Sequence, residues 1–310
     1  VRPKLAGVIK RYRTIKVFLL QNHGPETYEV ESIVKNLCDL GADARSVMLD
    51  NINELPDIAF LRNTRGSDYK KLKFMKNKNV KFINDLDNHY LTSDKWKKYK
   101  KLMSEGLRVP KTLLIPLPFD YHHIQMIGDE IGFPCVLKRR YGAHGIGVEL
   151  CHDTDHMYIL AKEFIRKFQD KDIIAQKYVN YSNDILSLFW VDGIVKSHVA
   201  KAPKGDTSFL SYRKIGYISS YTTQNETSNE IMSAYTSSRI PWIIDNDLRN
   251  TVEPIMTSLG IDVARLDILF DSDGYTICEV NSPGGFKGFE KIHNISVGSI
   301  IANFIMKVAQ

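Results

Sequence analysis

Two carboxylates and an amide stand close together near the C-terminus, in "DILFDSDGYTICEVNSPGG" (267–285), among apolar residues that otherwise read as buried strand. "ARLDILF" (264–270) and "YTICEVN" (275–281) are strand-like runs joined by Ser272, Asp273 and Gly274, which suits a three-residue hairpin loop with Gly274 at the left-handed position. With Asp271 and Tyr275 flanking that loop, Asp267 lies opposite Glu279. Asn281 then shares their face, because strand side chains alternate with period two. On this reading Leu266, Ile268, Cys278 and Val280 form the opposite, apolar face. Facing carboxylates repel unless a cation lies between them, and hard oxygen ligands of this number suit Mg²⁺, which completes its shell with water and phosphate oxygens. Asp267, Glu279 and Asn281 are therefore candidate metal ligands, with Mn²⁺ an acceptable substitute for Mg²⁺.

A second constellation is "LKRRYGAHGIGVEL" (137–150), in which Lys138 precedes Gly142, Gly145 and Gly147 between two apolar runs. Glycines let backbone N–H groups approach phosphate oxygens, and a nearby lysine adds a compact positive charge, so a nucleotide polyphosphate is the natural guest. The spacing is not that of a Walker A loop, since no G-K-[ST] follows. It is not the dinucleotide fingerprint either, since the last glycine leads into "VEL" rather than a helix.

The elements that must carry these residues fall in a definite order. "IKVFLL" (15–20), a turn-rich "QNHGPE", and an amphipathic "TYEVESIVKNLCDLG" ending on Gly41 make a βα unit. "DIAFLR" (57–62) and "VKFIND" (80–85), separated by a basic helical stretch, continue an alternating, mostly parallel α/β domain over residues 1–90. Thr92, Ser93 and Asp94 offer N-caps to a helix "KWKKYKKLMSEG" that Gly106 closes, and "LRVPKTLLIPLP" (107–118) follows as an extended, proline-punctuated connector. From "FPCVLKRR" (133–140) onward the strands come in antiparallel style, with Asp192-Gly193 as a hairpin turn inside "DILSLFWVDGIVKSHVAKA" (184–202).

Lysine and glycine-rich loop, then an Asp followed twelve residues later by Glu-x-Asn and a Ser-Pro-Gly turn, resemble the ATP-grasp carboxylate–amine ligases. Within them the chain is most similar to the group that includes the ribosomal-protein glutamate ligase RimK, the lysine-biosynthesis ligase LysX and bacterial glutathione synthetase. The likeness runs from about residue 80 to the end, where "EVNSPGGFKGFEKIHNISVG" (279–298) is similar to the RimK-type ending. The resemblance implies an α/β pre-domain (1–90) and an ATP-grasp domain (91–310) of two α+β subdomains clasping ATP, with a glycine-loop lid at about 130–180. It implies that Lys95 and Lys138 contact ATP, and that Gly142, Gly145 and Gly147 cover it. By the same resemblance Gln176, Lys177, Tyr178 and Val179 are expected to form a hinge strand that receives the adenine, with Asp184 near the ribose. Asp267, Glu279 and Asn281 match the magnesium ligands.

The implied reaction is ATP- and Mg²⁺-dependent amide or peptide bond formation between a carboxylate and an amine through an acyl phosphate, adding an amino acid to a peptide, protein or amino acid. Three departures bear on the substrate side: Lys177 where relatives carry an acidic residue, Asp184-Ile185-Leu186 in place of Asp-Ile-Arg, and "GDTSFLSYRK" (205–214), which lacks the usual Arg-Ser-Asn. Lys201 and Arg213 are the nearest cationic candidates to replace those arginines in catalysis. A nucleotide-binding protein of the same fold without ligase activity, regulatory or assembling in role, is the alternative. Intact metal ligands favour the ligase.

The bulk composition agrees with a folded enzyme. The 310 residues are 43% hydrophobic and 25% charged, with a net charge of +6 concentrated in runs such as 70–81 and 94–101, which read as solvated helix faces. No nucleic-acid-binding pattern accompanies them, the nine histidines show no zinc spacing, and no apolar run reaches membrane-spanning length. The four cysteines lack pairing motifs and read as reduced, packed thiols, so the expectation is a cytoplasmic protein acting on carboxylate and amine substrates. The resemblance also allows a homo-oligomer.

Overall fold

The computed structural model describes residues 13–22, 27–62, 64, 66–142, 147–169, 172–179, 185–200 and 239–310. The chain forms two compact units, Val1–Ile83 with Gly298–Gln310, and Asn84–Val297.

The first unit is built on a four-stranded parallel sheet. Its strands are β1 (Lys16–Gln21), β2 (Asp43–Met48), β3 (Ile58–Leu61) and β4 (Lys81–Ile83), in the order β2-β1-β3-β4. Helix α1 (Tyr28–Asp39) buries Val30, Ile33 and Leu37, the stripe expected of a 3.6-residue period, and Gly41 at φ +87° reverses the chain after it. Helix α2 (Tyr69–Asn77) buries only Leu72 and Met75, so most of its lysines are solvated. Strand β2 was not legible in the sequence: "DARSVM" has neither an apolar run nor a clean alternation, because an edge strand needs less burial. The C-terminal helix Val297–Val308 joins this unit, where a side chain on Gly298 would collide with Ser32 of α1.

The second unit begins with two helices, α3 (Leu86–Ser93) and α4 (Lys95–Ser104), and contains two antiparallel sheets. The four-stranded sheet runs β5-β8-β6-β7, with β5 at Thr112–Pro116, β6 at Cys135–Arg139, β7 at Val148–Cys151 and β8 at Asp172–Lys177. Helices α5 (Tyr121–Ile131) and α6 (Thr154–Phe168) cover it through Ile124, Ile131, Met157, Ala161 and Phe164. The stretch expected as a connector at 107–118 therefore holds a strand. Its prolines are tolerated because β5 is an edge, where missing N–H donors cost little.

The five-stranded sheet runs β11-β10-β9-β12-β13: β9 (Ile185–Val191), β10 (Ile194–Ala200), β11 (Arg239–Pro241), β12 (Val263–Asp271) and β13 (Gly274–Asn281). Helix α7 (Asn246–Leu259) packs Leu248, Val252, Ile255 and Leu259 against Leu186, Leu188, Leu266, Ile268 and Val280 on one face of it. Asp192 and Gly193, both at positive φ, make the expected β9–β10 turn. A short helix α8 (Lys287–His293) follows the "NSPGG" turn. Asn84 fixes the start of β12: its Oδ1 accepts from Asp262 N (2.7 Å) and Val263 N (2.6 Å), and its Nδ2 donates to Val263 O (2.8 Å).

Cys135, Cys151 and Cys278 are buried free thiols, whereas Cys38 is exposed on α1, against the expectation that all four are packed.

Candidate active site

The hairpin β12–β13 carries the candidate metal ligands, and it reaches the expected pairing by a different route. Asp271 pairs with Gly274, so the loop is the two residues Ser272 and Asp273, with Gly274 inside the strand at φ +105°. The register then slips by one between Asp267 and Ile268, and the extra residue is Cys278, a β-bulge. Beyond the bulge Asp267 faces Glu279 and Arg265 faces Asn281. The bulge also corrects the face assigned to Cys278: it packs with Ile185 and Leu269, whereas Leu266, Ile268 and Val280 lie in the core under α7.

Asp267 is held from three sides. Ser187 of β9 donates to its Oδ1 at 3.0 Å, and Arg265 Nη2 (3.4 Å) and Asn281 Nδ2 (3.5 Å) approach its Oδ2. Gly284 has to be glycine, since an added Cβ would lie 2.3 Å from Arg265 Cβ.

Glu279 sits among ammonium groups. Lys95 Nζ lies 3.9 Å from its Oε1, and Lys98 and Lys138, 2% and 4% exposed, act on it from α4 and β6. Burial alone would raise the Glu279 carboxyl, but the fields of Lys95, Lys98, Lys138 and Arg265 outweigh it and hold the group below its ordinary value, ionised at neutral pH. The lysines pay the converse cost: burial lowers Lys95, and lowers Lys98 to about 8, against the raising pull of Glu279.

Each lysine is positioned by identifiable partners. Lys138 Nζ donates to Gln176 Oε1 (2.6 Å), and Gln176 Nε2 donates to Thr112 Oγ1 (2.9 Å), a buried relay across the four-stranded sheet. Lys98 Nζ reaches Val280 O (3.4 Å), and the neighbouring Tyr99 hydroxyl donates to Cys278 O. Lys95 donates to Gly142 O, at the start of the glycine loop, and its own N–H donates to Arg140 O (3.2 Å). Of the three expected caps, Asp94 is the one used: it accepts from Lys97 N (3.1 Å) while receiving both arms of Arg140 (2.9 and 2.7 Å) and the Tyr141 hydroxyl (2.8 Å). Arg140, just after β6, also binds Asp172 (2.7 Å), so one guanidinium ties the helix carrying Lys95 to the start of β8.

Of the loop itself, Gly142 (φ +149°) and Gly147 (φ +71°) are described. At Gly147 a Cβ would fall 2.4 Å from Arg139 Cγ, a cradle only glycine leaves open. Gly145 and His144, together with Asp184, Lys201 and Arg213, lie outside the described residues. On the hinge strand Gln176 is buried, Lys177 is exposed with its N–H bonded to Lys111 O (2.8 Å), and Tyr178 and Val179 are partly buried, Val179 against Ile185, Leu269 and Cys278.

The donor set has a clear chemical bias. Among the described residues no three His, Cys, Asp or Glu side chains gather as a metal cage. Two carboxylates and an amide fit a cation that keeps water and phosphate oxygens in its shell. Three ammonium groups around a single carboxylate leave positive charge that a polyphosphate neutralises, so Lys95, Lys98 and Lys138 fit ATP phosphates and Asp267, Glu279 and Asn281 fit Mg²⁺.

Sequence reasoning missed Lys98, counted within a solvated run. Its i, i+3 relation to Lys95 and adjacency to Tyr99 and Leu102, both buried, were the available signal. It also missed Arg265, two residues before Asp267 and thus on the same face.

The fold is that of ATP-grasp proteins. Residues 92–238 match the RimK-like ATP-grasp domain. Over 299 residues it is 26% identical to a protein named coenzyme gamma-F420-2:alpha-L-glutamate ligase from Methanococcus maripaludis, covering 90% of this chain and 94% of that one. It is 29% identical to a probable alpha-L-glutamate ligase of a Shewanella species over 69% of this chain and 64% of that one. Among solved structures it is similar to a RimK domain ATP-grasp protein from Sphaerobacter thermophilus (TM-score 0.66, 16% identity, 93% of this chain and 98% of that one). It is also similar to D-alanine–D-alanine ligase from Bacillus anthracis complexed with ATP (TM-score 0.65, 13% identity, 96% and 99%).

Proposed function

We propose that the protein is an ATP- and Mg²⁺-dependent ligase that joins a carboxylate to an amine through an acyl phosphate, adding an amino acid to a peptide, a protein or another amino acid. The observation that carries this is the ring of Lys95, Lys98 and Lys138 about Glu279, directly across the hairpin from Asp267. Bound ATP supplies the phosphoryl group that activates the carboxylate, with Mg²⁺ neutralising its charge.

The chain's own part is positioning. Lys95 and Lys138, fixed through Asp94–Arg140 and Gln176, would hold phosphate oxygens, and Gly142, Gly145 and Gly147 would close over them to keep water out. Asp267, Glu279 and Asn281 would hold the metal. The Gln176–Val179 strand would receive the adenine, whose apolar face suits Val179, Leu269 and Cys278, with Asp184 at the ribose. Lys201 and Arg213 would act on the substrate side. The ATP-grasp portion would then comprise residues from 91 onward, with its lid at about 130–180 and residues 1–90 as the preceding domain.

The described residues contain no helix long and apolar enough to cross a membrane, and the free thiols support a cytoplasmic setting. The names of the Methanococcus and Shewanella relatives make L-glutamate the first amine to try. An assay of ADP release across amino acids and acidic peptides tests the reading. Release that depends on both a carboxylate and an amine, with a product of the summed mass less water, supports it. Nucleotide binding without ADP from any pair would refute it.

A further inference from the structure

Helix α2 of the first unit presents an outer face with a concentrated charge. Residues 69–81, "YKKLKFMKNKNVK", hold six lysines and no Asp or Glu, as many positive charges as the chain's whole formal excess of +6. Over the rest of the sequence basic and acidic residues balance in number, so the excess is local. Helix geometry sorts the run. Leu72 and Met75 turn inward and are buried, which leaves Lys70, Phe74, Asn77 and Lys78 exposed along one outward ridge. Lys70, Phe74 and Lys78 follow one another at intervals of four residues, about 6 Å of helix rise apart.

Phe74 is the residue that a merely solvated face does not explain. It is 58% exposed in the middle of the ridge, and Lys78 Nζ lies 5.7 Å from its ring centroid. Tyr69, at the start of the helix, has Lys73 Nζ at 5.8 Å in the same way. Two further lysines rim the ridge: Lys71 donates to Leu49 O and meets Asp50 at 3.4 Å, and Lys81 donates to Val308 O at 2.9 Å. A planar ring set between cations matches a ligand that alternates π-faces with negative charge. A lipid surface fits less well, because Leu72 and Met75 are held in the core and one ring is a small anchor. An acidic peptide supplies charge but no regular succession of faces to stack.

We propose that the outer ridge of α2 is a docking surface for single-stranded RNA, with a base stacked on Phe74 and the flanking phosphates on Lys70 and Lys78. The lysines attract any polyanion; the ring selects an unpaired base, because in a duplex the base faces cover one another. Asn77, exposed beside Phe74 and Lys78, brings an amide that both donates to and accepts from a ribose 2′-hydroxyl, the group that separates RNA from DNA. The surface lies wholly within the first unit, so it stands whether or not the second unit is a ligase.

The test is fluorescence anisotropy of a labelled oligouridylate titrated with the full chain over a series of salt concentrations. Binding is expected at low salt, weakening with a log–log slope of about −0.7 for each phosphate contacted. Lys70→Gln and Lys78→Gln together weaken it and flatten that slope by about 1.4. Phe74→Ala weakens it at least about fivefold with the slope kept, and Phe74→Tyr restores it. All four side chains are exposed, so the urea midpoints of these variants match wild type, which separates lost contact from lost fold. Oligothymidylate and duplex RNA bind more weakly, and AMP-PNP with Mg²⁺ does not displace the oligouridylate. No binding at low salt, or binding indifferent to these substitutions, overturns the proposal. So does oligothymidylate or duplex RNA bound as tightly as oligouridylate, or displacement of the RNA by polyglutamate or phosphatidylserine vesicles at equal negative charge. Displacement by AMP-PNP would also overturn it, by placing the RNA at the lysines around Glu279.

Discussion

Replacing Glu279 by Gln removes the single negative charge among three ammonium groups, and its consequences separate metal binding from nucleotide binding. Lys95 Nζ is 3.9 Å from Glu279 Oε1, a separation at which an effective dielectric near 20 gives roughly 4 kcal/mol for one pair. The Glu279 side chain keeps 32% of its exposure, so solvent screens part of this, and a net destabilisation of about 2–3 kcal/mol is expected for the ligand-free protein at pH 7. Urea unfolding measures it. Without metal the same change removes repulsion against the nucleotide phosphates, so AMP-PNP titrated in EDTA should bind the variant as tightly as wild type or more tightly. In Mg²⁺ it should bind at least about tenfold more weakly, because one of the proposed metal ligands is gone. Unchanged stability, or an affinity that falls equally in EDTA and in Mg²⁺, refutes the placement of Glu279 between lysines and metal.

Arg140→Met breaks a guanidinium held by Asp94 at 2.9 and 2.7 Å and by Asp172 at 2.7 Å, leaving a 3%-exposed carboxylate side chain at the head of α4; about 2–4 kcal/mol of stability should be lost in urea, and the KM for ATP should rise more than that for the other substrates. Lys98, lowered to about 8 from 10.5, keeps its proton longer in the unfolded chain, so the ligand-free protein should gain stability from this group as pH rises from 8 to 10.5, by about 2–3 kcal/mol; a flat profile there contradicts the burial. Glu279, held below its ordinary 4.5, contributes stability present above that value and lost as pH falls through the lower folded value, so acid unfolding should shift in Glu279→Gln. Gly147→Ala forces a left-handed φ of +71° on an L residue against Arg139, and should cost about 1–2 kcal/mol in stability while raising the KM for ATP.

The alternating pattern of residues 13–83 and the antiparallel style after residue 133 were readable because burial follows period. Strand β2 was not, since an edge strand carries no such pattern, and β5 was hidden by prolines that an edge tolerates. The pairing of Asp267 with Glu279 was legible, but its cause was not. The expected three-residue loop and the observed two-residue loop with a bulge at Cys278 give the same opposition, and sequence periodicity cannot tell them apart without the third strand, β9, that fixes which face is core. Lys138 stood out because it precedes the glycine loop, and Lys95 through the family resemblance of its helix start. Lys98 and Arg265 did not, because their spacing, three residues after Lys95 and two before Asp267, is equally that of a solvated cation, and only packing against other elements buries them beside the carboxylates.

The central claim is that ATP and Mg²⁺ meet between Lys95, Lys98 and Lys138 on one side and Asp267, Glu279 and Asn281 on the other. A crystal structure of the protein with AMP-PNP and Mn²⁺, the metal located by its anomalous signal, tests it directly. The predicted result is manganese bound by oxygens of Asp267, Glu279 and Asn281, with phosphate oxygens in contact with Lys95 and Lys138. Manganese held elsewhere, or a nucleotide whose phosphates do not touch those lysines, would contradict it.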